Sequence, residues 1–307
     1  MTKLWPWLRL LAGLSILAAL VWRHSTGAFV DALHAVDGRA LCAALLIGLL
    51  TTVLSAARWR LVAGRLGVSL PLADAVIDYY RAQFLNAVLP AGILGDVHRA
   101  MNHGQRSGAR GVRAVFLERV MGQVVPVVVG VALLVTRPAV LSALAPALIT
   151  LAVVLGALLI LARWRRRALT GTYTDVRAVL AAWPAITALS LTALAGHLTL
   201  FVVAARLAGA TAPLRDLLPL LLLALLVMVL PVNVGGWGPR EAVLSIAFGA
   251  AGLGSAQGLT VSVVYGVLTF VACLPGAAAL LLKRREAVPE QLDETPQRVP
   301  ALVGASQ

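Results

Sequence analysis

The sequence is poor in charged residues, and acidic residues are the scarcer kind. Only 13% of its 307 residues are Asp, Glu, Lys or Arg, whereas 60% are hydrophobic. A soluble globular domain carries roughly a quarter charged residues, so that class is excluded. The 26 basic residues outnumber the 13 acidic ones and leave a net charge of +13. The arginines lie between apolar runs, which favours membrane-topology signals and anionic-lipid contacts over a nucleic-acid surface.

Cysteine is scarce as well, and the usual catalytic patterns are missing. Cys42 and Cys273 are the only cysteines and both lie in apolar runs, which excludes a disulfide framework and a cysteine metal site. The sequence shows no metal-ligand spacing, no nucleophile beside a base, no P-loop and no dinucleotide-binding glycine pattern. We therefore expect no metal, no cofactor and no enzymatic activity, and we keep an enzyme acting on lipid as a minor alternative.

Long apolar runs are abundant, and they predict an all-α, polytopic membrane helix bundle of about eight transmembrane segments. A cleaved signal peptide is the alternative for the first of them. Residues 1–285 form one membrane domain in this interpretation, and residues 286–307 a disordered polar tail. The predicted segments are residues 10–22, 40–57, 114–135, 138–162, 182–205, 217–232, 242–256 and 258–282, of which 242–256 is short for a full crossing.

Two apolar segments are interrupted by helix-breaking residues. The first lies within residues 79–99 and the second within residues 231–241. Lipid tolerates broken backbone only where protein or water satisfies the freed polar groups. Two such segments in corresponding halves point to a transporter's binding site and allow an inverted repeat. The interrupting residues are Asn86, Pro90, Gly92, Gly95 and Asp96, then Pro231, Asn233, Gly235, Gly236, Gly238, Pro239, Arg240 and Glu241.

The distribution of arginine predicts the orientation in the membrane. The basic loops all fall on one side if residues 83–97 re-enter the membrane and return to the side from which they came. The positive-inside rule makes that side the cytoplasm. We therefore expect a multi-pass protein of the cell inner (cytoplasmic) membrane with both termini in the cytoplasm.

Ionisable residues inside apolar segments are the candidate site, because burying a charge is costly unless it has a role. The pairs are Asp96 with Arg99, Glu118 with Arg119, and Arg240 with Glu241. The alternative for each is a structural ion pair. Asn86 and Asn233 bind a headgroup or cap a broken helix. Four of the glycines of the two breaks, Gly92, Gly95, Gly235 and Gly236, let an anion approach the backbone or let helices pack closely.

Two further residues complete the candidate list. Trp237 lies within the second break and lines the site in this interpretation, whereas the other tryptophans are typical of the membrane interface. His197 lies in the middle of a predicted span and is expected to be a hydrogen-bonded core residue rather than a proton carrier.

Four motifs together resemble the lysylphosphatidylglycerol synthase transmembrane (flippase-like) family, over roughly residues 41–282. They are Arg58-Trp59-Arg60, the run from Asn86 to Arg99, Glu118-Arg119, and the run from Pro231 to Glu241. Full-length members join this region to a soluble aminoacyl-transferase domain, which is absent from this sequence, so transferase activity is not implied. Where the family pattern has Gly-Gly-Asp, this chain has Leu94-Gly95-Asp96.

The leading hypothesis is a lipid translocase for an anionic phospholipid or lipid-linked headgroup. Arg99 and Arg240 would contact the phosphate, because their planar forks can bind it bidentately. The two breaks would form one site, with cross-pairing such as Asp96 with Arg240. The alternative is an accessory membrane subunit of a lipid-modifying enzyme or glycosyltransferase. Expected partners are membrane lipids, a lipid-modifying enzyme or a second copy of the chain.

Overall fold

The computed structural model describes residues 36–89, 94–136, 172–228 and 237–281, together with positions 138 and 142. Their regular structure is helical throughout, which confirms the predicted all-α architecture. The helices are α1 (Gly38–Arg65), α2 (Leu72–Val88), α3 (Leu94–Leu134), α4 (Thr172–Leu180), α5 (Trp183–Leu207), α6 (Leu214–Val227), α7 (Pro239–Ala250), α8 (Ser255–Cys273) and α9 (Pro275–Leu281).

Four helical stretches of the described chain are long and apolar enough to cross a membrane. They contain or overlap the predicted spans 40–57, 114–135, 182–205 and 258–282. The predicted spans 10–22 and 138–162 and the tail 286–307 lie outside the described residues, apart from positions 138 and 142. The four stretches are Gly38–Arg65, Leu94–Leu133, Trp183–Leu207 and Ser255–Leu280.

The longest helix, α3, reverses direction near its middle. Gly108 leaves the helical conformation with a positive φ of 57°, which glycine adopts without strain. A Cβ on Gly111 would collide with the carbonyl group of His103, so the segments on either side of Gly108 lie against each other. We therefore treat α3 as two helices, α3a (94–106) and α3b (109–134), of which α3b is the predicted third span.

Helices α2 and α3a form a hairpin around the first break. A Cβ on Gly95 would collide with the carbonyl group of Ala82, so only glycine lets the two helices approach this closely. Farther from the break, Asp78 Oδ2 lies 3.1 Å from His103 Nε2. The chain thus runs in along α2 and back along α3a, as predicted for the re-entrant segment 83–97.

Helices α6 and α7 form the corresponding hairpin around the second break. The next turn, between α7 and α8, contains Gly252 and Gly254, which have positive φ angles of 73° and 90°. A Cβ on Gly258 would collide with the Leu244 carbonyl, so α7 and α8 also lie side by side. The residues just before α6, 209–212, line a small cavity together with Phe248 near the end of α7, so α6 and α7 run antiparallel. The predicted segments 217–232 and 242–256 are therefore the two arms of one hairpin.

The two halves repeat one order of elements. α1, α2, α3a and α3b correspond to α5, α6, α7 and α8. The loops before the two short helices even share a sequence pattern, Gly-x-Ser/Thr-x-Pro-Leu-x-Asp, which begins at Gly67 and at Gly209. Both glycines have positive φ, 73° and 80°, and Pro71 and Pro213 occupy the N-caps of α2 and α6.

The repeat is inverted, because the corresponding helices α1 and α5 run antiparallel. Thr51 of α1 lies against Gly196 of α5, whereas Arg58, farther along α1, bonds to Ser190, which is earlier in α5. The loop after α1 and the loop after α5 therefore lie at opposite ends of the bundle.

The loop after α1 lies at the same end of the bundle as the α3a–α3b turn. The loop after α5 lies at the other end, together with the α7–α8 turn. Arg110, just after the α3a–α3b turn, approaches Gly67, and its neighbour Arg113 pairs with Asp175 of α4. At the other end, the Gln257 side chain donates a hydrogen bond to the Ala208 carbonyl.

These positions predict opposite labelling at the two ends. In a variant lacking Cys42 and Cys273, we expect cysteines at Ser107 and Thr174 to react with an impermeant maleimide only from the cytoplasmic side, because the basic loops cluster there. A cysteine at Thr211 should react only from the outside. Labelling of positions 107 and 211 from the same side would contradict the inverted repeat.

Candidate functional site

The carboxylate of Glu118, which has no solvent-exposed surface, bridges two arginines from different helices. Its Oε1 accepts bonds from Arg58 Nη2 at 2.6 Å and Nε at 3.1 Å, and its Oε2 accepts one from Arg99 Nη2 at 2.9 Å. Tyr79 Oη adds a fourth bond at 3.2 Å. Since α1, α2, α3a and α3b all meet at this carboxylate, it joins the first broken hairpin to its neighbours.

Asp96 connects the same cluster to the first break. Its Oδ1 lies 3.0 Å from Arg99 Nη2, and its Oδ2 pairs with Arg119 and accepts a bond from Asn86 Nδ2 at 3.1 Å. The Asn86 amide oxygen in turn accepts the Gly95 backbone N–H at 2.8 Å. Asn86 thus caps the start of α3a from the end of α2, which is the capping alternative of the sequence analysis.

Arg99 contacts two aromatic rings. Its guanidinium carbon lies 4.5 Å from the ring centre of Trp59 and 4.5 Å from that of Tyr79. The two ring centres are 6.5 Å apart, so the rings approach the guanidinium from two directions and do not sandwich it. Its side chain is 1% exposed. Two of its nitrogens, Nε and Nη1, are buried without a hydrogen-bond partner in the described part of the chain, which is exceptional because buried polar groups are nearly always paired.

A second buried cluster, around Arg240 and Glu241, follows the second break. Arg240 Nη2 lies 2.6 Å from Glu241 Oε1, and Ser262 Oγ bonds both residues at 2.8 Å. The other Glu241 oxygen accepts the Gly238 backbone N–H at 2.6 Å, which caps the start of α7. The guanidinium of Arg240 also lies 5.1 Å from the ring centre of Trp237. This cluster is electrically neutral.

The predicted cross-pairing of the two breaks is wrong. Arg240 pairs with its neighbour Glu241, and Asp96 pairs with Arg99 and Arg119. Each break therefore supplies its own counter-ion, and each carboxylate additionally stabilises the start of its own helix.

A cavity of about 230 Å³ lies between the two hairpins. Asn86, at the end of α2, and Met228 and Trp237, which flank the second break, all contribute to its wall. His197 of α5 also lines it, although the sequence analysis placed this residue in the core. The charged residues Arg99, Glu118, Arg240 and Glu241 are not among the described residues that line the cavity.

Several predicted site residues lie outside the described part of the chain, and their contacts stay predictions: Pro90, Gly92, Pro231, Asn233, Gly235 and Gly236.

Sequence reasoning missed several partners of the clusters. Arg58 carries part of the quoted family motif, yet nothing in the local pattern predicts its bond to Glu118, 60 residues away. Ser190 and Ser262 are isolated serines in apolar helices, and Tyr79 was noted only as the start of the broken segment. A polar residue that interrupts an apolar helical face is the one signal that points to them.

Comparison with known proteins gives the following. The family described as Lysylphosphatidylglycerol synthase TM region matches residues 7–276. No curated protein and no solved structure matches the chain.

Glu118 should be essential for stability. Glu118→Gln removes the charge shared by two buried arginines, and breaking such a pair costs about 3–5 kcal/mol. We expect a large fall in the melting temperature of the detergent-purified protein. Arg119→Gln is the matched control, because its side chain is 37% exposed and a pair this accessible contributes about 1 kcal/mol or less. Equal melting temperatures for the two variants would contradict the bridging role.

The packing of Arg240 against Trp237 should require glycine at position 266. A Cβ at this position would lie 2.6 Å from Arg240 Nη2 and 2.6 Å from the Trp237 ring. We expect Gly266→Ala to shift the tryptophan fluorescence and to lower the melting temperature. Gly64→Ala, where a Cβ meets nothing within 4 Å, should leave the fluorescence unchanged and should not lower the melting temperature, because alanine favours a helix more than glycine does. An unaltered Gly266→Ala protein would show that Arg240 and Trp237 do not pack as described.

Proposed function

Because this chain belongs to the lysylphosphatidylglycerol synthase TM region family, we propose that it is a lipid translocase for phosphate-bearing lipids. In this proposal the protein moves an anionic headgroup from one leaflet to the other without altering it covalently. The inverted pair of broken hairpins supports the proposal, since transporters place their sites between such elements. The cavity between the hairpins provides a polar path for a headgroup whose acyl chains stay in lipid.

The observation that carries the proposal is the unmatched positive charge beside the first break. Arg58, Arg99 and Arg119 carry three positive charges, whereas Asp96 and Glu118 carry two negative charges. One positive charge thus has no counter-ion within this cluster. A buried charge of this kind is costly unless it is compensated. A lipid phosphodiester supplies one negative charge and several acceptor oxygens.

The geometry of Arg99 suits such a ligand. The rings of Trp59 and Tyr79 contact the guanidinium from two different directions and restrict its position. Glu118 and Asp96 bind Nη2, so the N–H groups of Nη1 and Nε remain without a partner in the described part of the chain. These donors lie on different sides of the planar guanidinium and each can donate a hydrogen bond to an anion, a fixed multi-donor geometry that lysine cannot provide. In the second cluster, the predicted phosphate ligand Arg240 is instead neutralised by Glu241.

The test is a leaflet-accessibility assay in proteoliposomes with acyl-labelled phosphatidylglycerol. We expect protein-dependent translocation, and we expect Arg99→Lys to slow it at least about tenfold, because the charge stays but the planar guanidinium with its fixed donors is lost. Arg119→Lys is the matched control and should retain most of the rate, since this more exposed side chain bonds only Asp96 among the described residues.

Two outcomes contradict the proposal. The first is an Arg99→Lys protein that transports at the wild-type rate. The second is the absence of translocation for a panel of phospholipids and polyprenyl phosphates. In the second case, a lipid-modifying enzyme that copurifies stoichiometrically from mild detergent would support the accessory-subunit alternative.

A further inference from the structure

The cavity has a mixed lining of apolar and hydrogen-bonding side chains and no formal charge on its described walls. Besides Trp237 and Tyr265, its hydrogen-bonding side chains include Thr51, Thr52, Gln83, Asn86, Thr269 and His197. None of the described residues that line it is Asp, Glu, Lys or Arg.

This lining is a poor environment for an ammonium group. An ammonium taken out of water needs a carboxylate partner, because burying it alone is among the most costly events in a protein. Asp96 bonds the wall residue Asn86, but its carboxylate already pairs with Arg99 and Arg119 and is not available to an ammonium group.

The same lining suits a group rich in hydroxyls. Threonine hydroxyls and carboxamides both donate and accept hydrogen bonds, as sugar and glycerol hydroxyls do. Thr52 already donates to Gln83 Oε1 at 3.0 Å, which orients that carboxamide. The rings of Trp237 and Tyr265 add flat apolar walls against which the C–H groups of a polyol can pack. A volume of about 230 Å³ holds a small polyol but not the whole lipid.

The cavity is connected to Arg99 through two side chains. Asn86 lines the cavity and bonds Asp96, and Asp96 bonds Arg99 Nη2. In the inference below, the phosphate is assigned to Arg99 and the group esterified to it to the cavity.

We propose that the cavity receives an uncharged, hydroxyl-bearing headgroup substituent, such as glycerol, inositol or a sugar esterified to the phosphate, and discriminates against amine-bearing headgroups. This inference rests on the proposed translocase function and names its substrate class. If the inference holds, an aminoacylated lipid is a poor substrate of this chain.

The test compares acyl-labelled phosphatidylglycerol and phosphatidylinositol with phosphatidylethanolamine and lysylphosphatidylglycerol in the same proteoliposomes. We expect the two polyol lipids to cross at least about tenfold faster than the two amine lipids, the discrimination that one unpaired buried polar group can produce. Amine lipids that cross as fast as the polyol lipids would overturn the inference and leave the translocase function standing.

Variants of Gln83 and Thr52 link the preference to the cavity. Gln83→Glu introduces a carboxylate of the same shape, so it should narrow or reverse the preference for polyol lipids. The double change Thr52→Val with Gln83→Leu removes both partners of one hydrogen bond, which is milder than removing one, and should slow polyol lipids selectively. Thr199→Val is the control, because Thr199 is exposed and its hydroxyl bonds only its own helix. Unchanged preferences in both cavity variants would overturn the assignment.

Native mass spectrometry separates this inference from the proposed function. Wild-type protein purified from membranes that contain all four lipids should retain phosphatidylglycerol or phosphatidylinositol, and Gln83→Glu should retain less of them. Retention of polyol lipids without translocation of any lipid would reject the translocase and support the cavity assignment. Retention of amine lipids in preference would reject the cavity assignment.

Discussion

The ion pairs of Glu118 are the interaction on which the rest of the structure depends. Arg58 comes from the long helix α1 and Arg99 from the broken hairpin, and both are buried. Neither could be buried at membrane depth without this carboxylate between them. The bridge therefore fixes the broken backbone against an unbroken helix, and it does so at the arginine to which we assign the phosphate. In the proposed function, one cluster serves both stability and phosphate binding.

The inverted repeat explains why there are two breaks but only one unmatched charge. Both hairpins begin after a Gly-x-Ser/Thr-x-Pro-Leu-x-Asp loop, and both restart their helices with a carboxylate or an amide as cap. In the second half the cap, Glu241, also neutralises Arg240 completely. In the first half the capping role falls to Asn86, and the arginines outnumber the carboxylates. The asymmetry confines the proposed anion site to the first break and leaves a neutral wall opposite.

The helical spans, the two breaks and several charged site residues could be predicted from the sequence, whereas the partners that join distant helices could not. Span positions and the two reversals follow from apolar length and from glycine and proline, which act locally. Asp96, Arg99 and Glu118 were found because a charge in an apolar run is costly wherever it sits. The partners Arg58 and Ser190 could not be predicted, since they meet only when α1 and α5 pack antiparallel. The pairing of Asp96 with Arg240 failed because Glu241, the next residue, reaches Arg240 at far lower entropic cost.

The central claim is that Arg99 binds a lipid phosphate beside an uncharged cavity shared by the two hairpins. Cryo-electron microscopy of the protein in nanodiscs rich in phosphatidylglycerol tests it most directly. The account predicts phosphate density within hydrogen-bond distance of Arg99 Nη1 or Nε, with the glycerol of the headgroup against Gln83 and Asn86. Density showing both of these nitrogens bonded to protein groups, with the headgroup bound elsewhere, would contradict it.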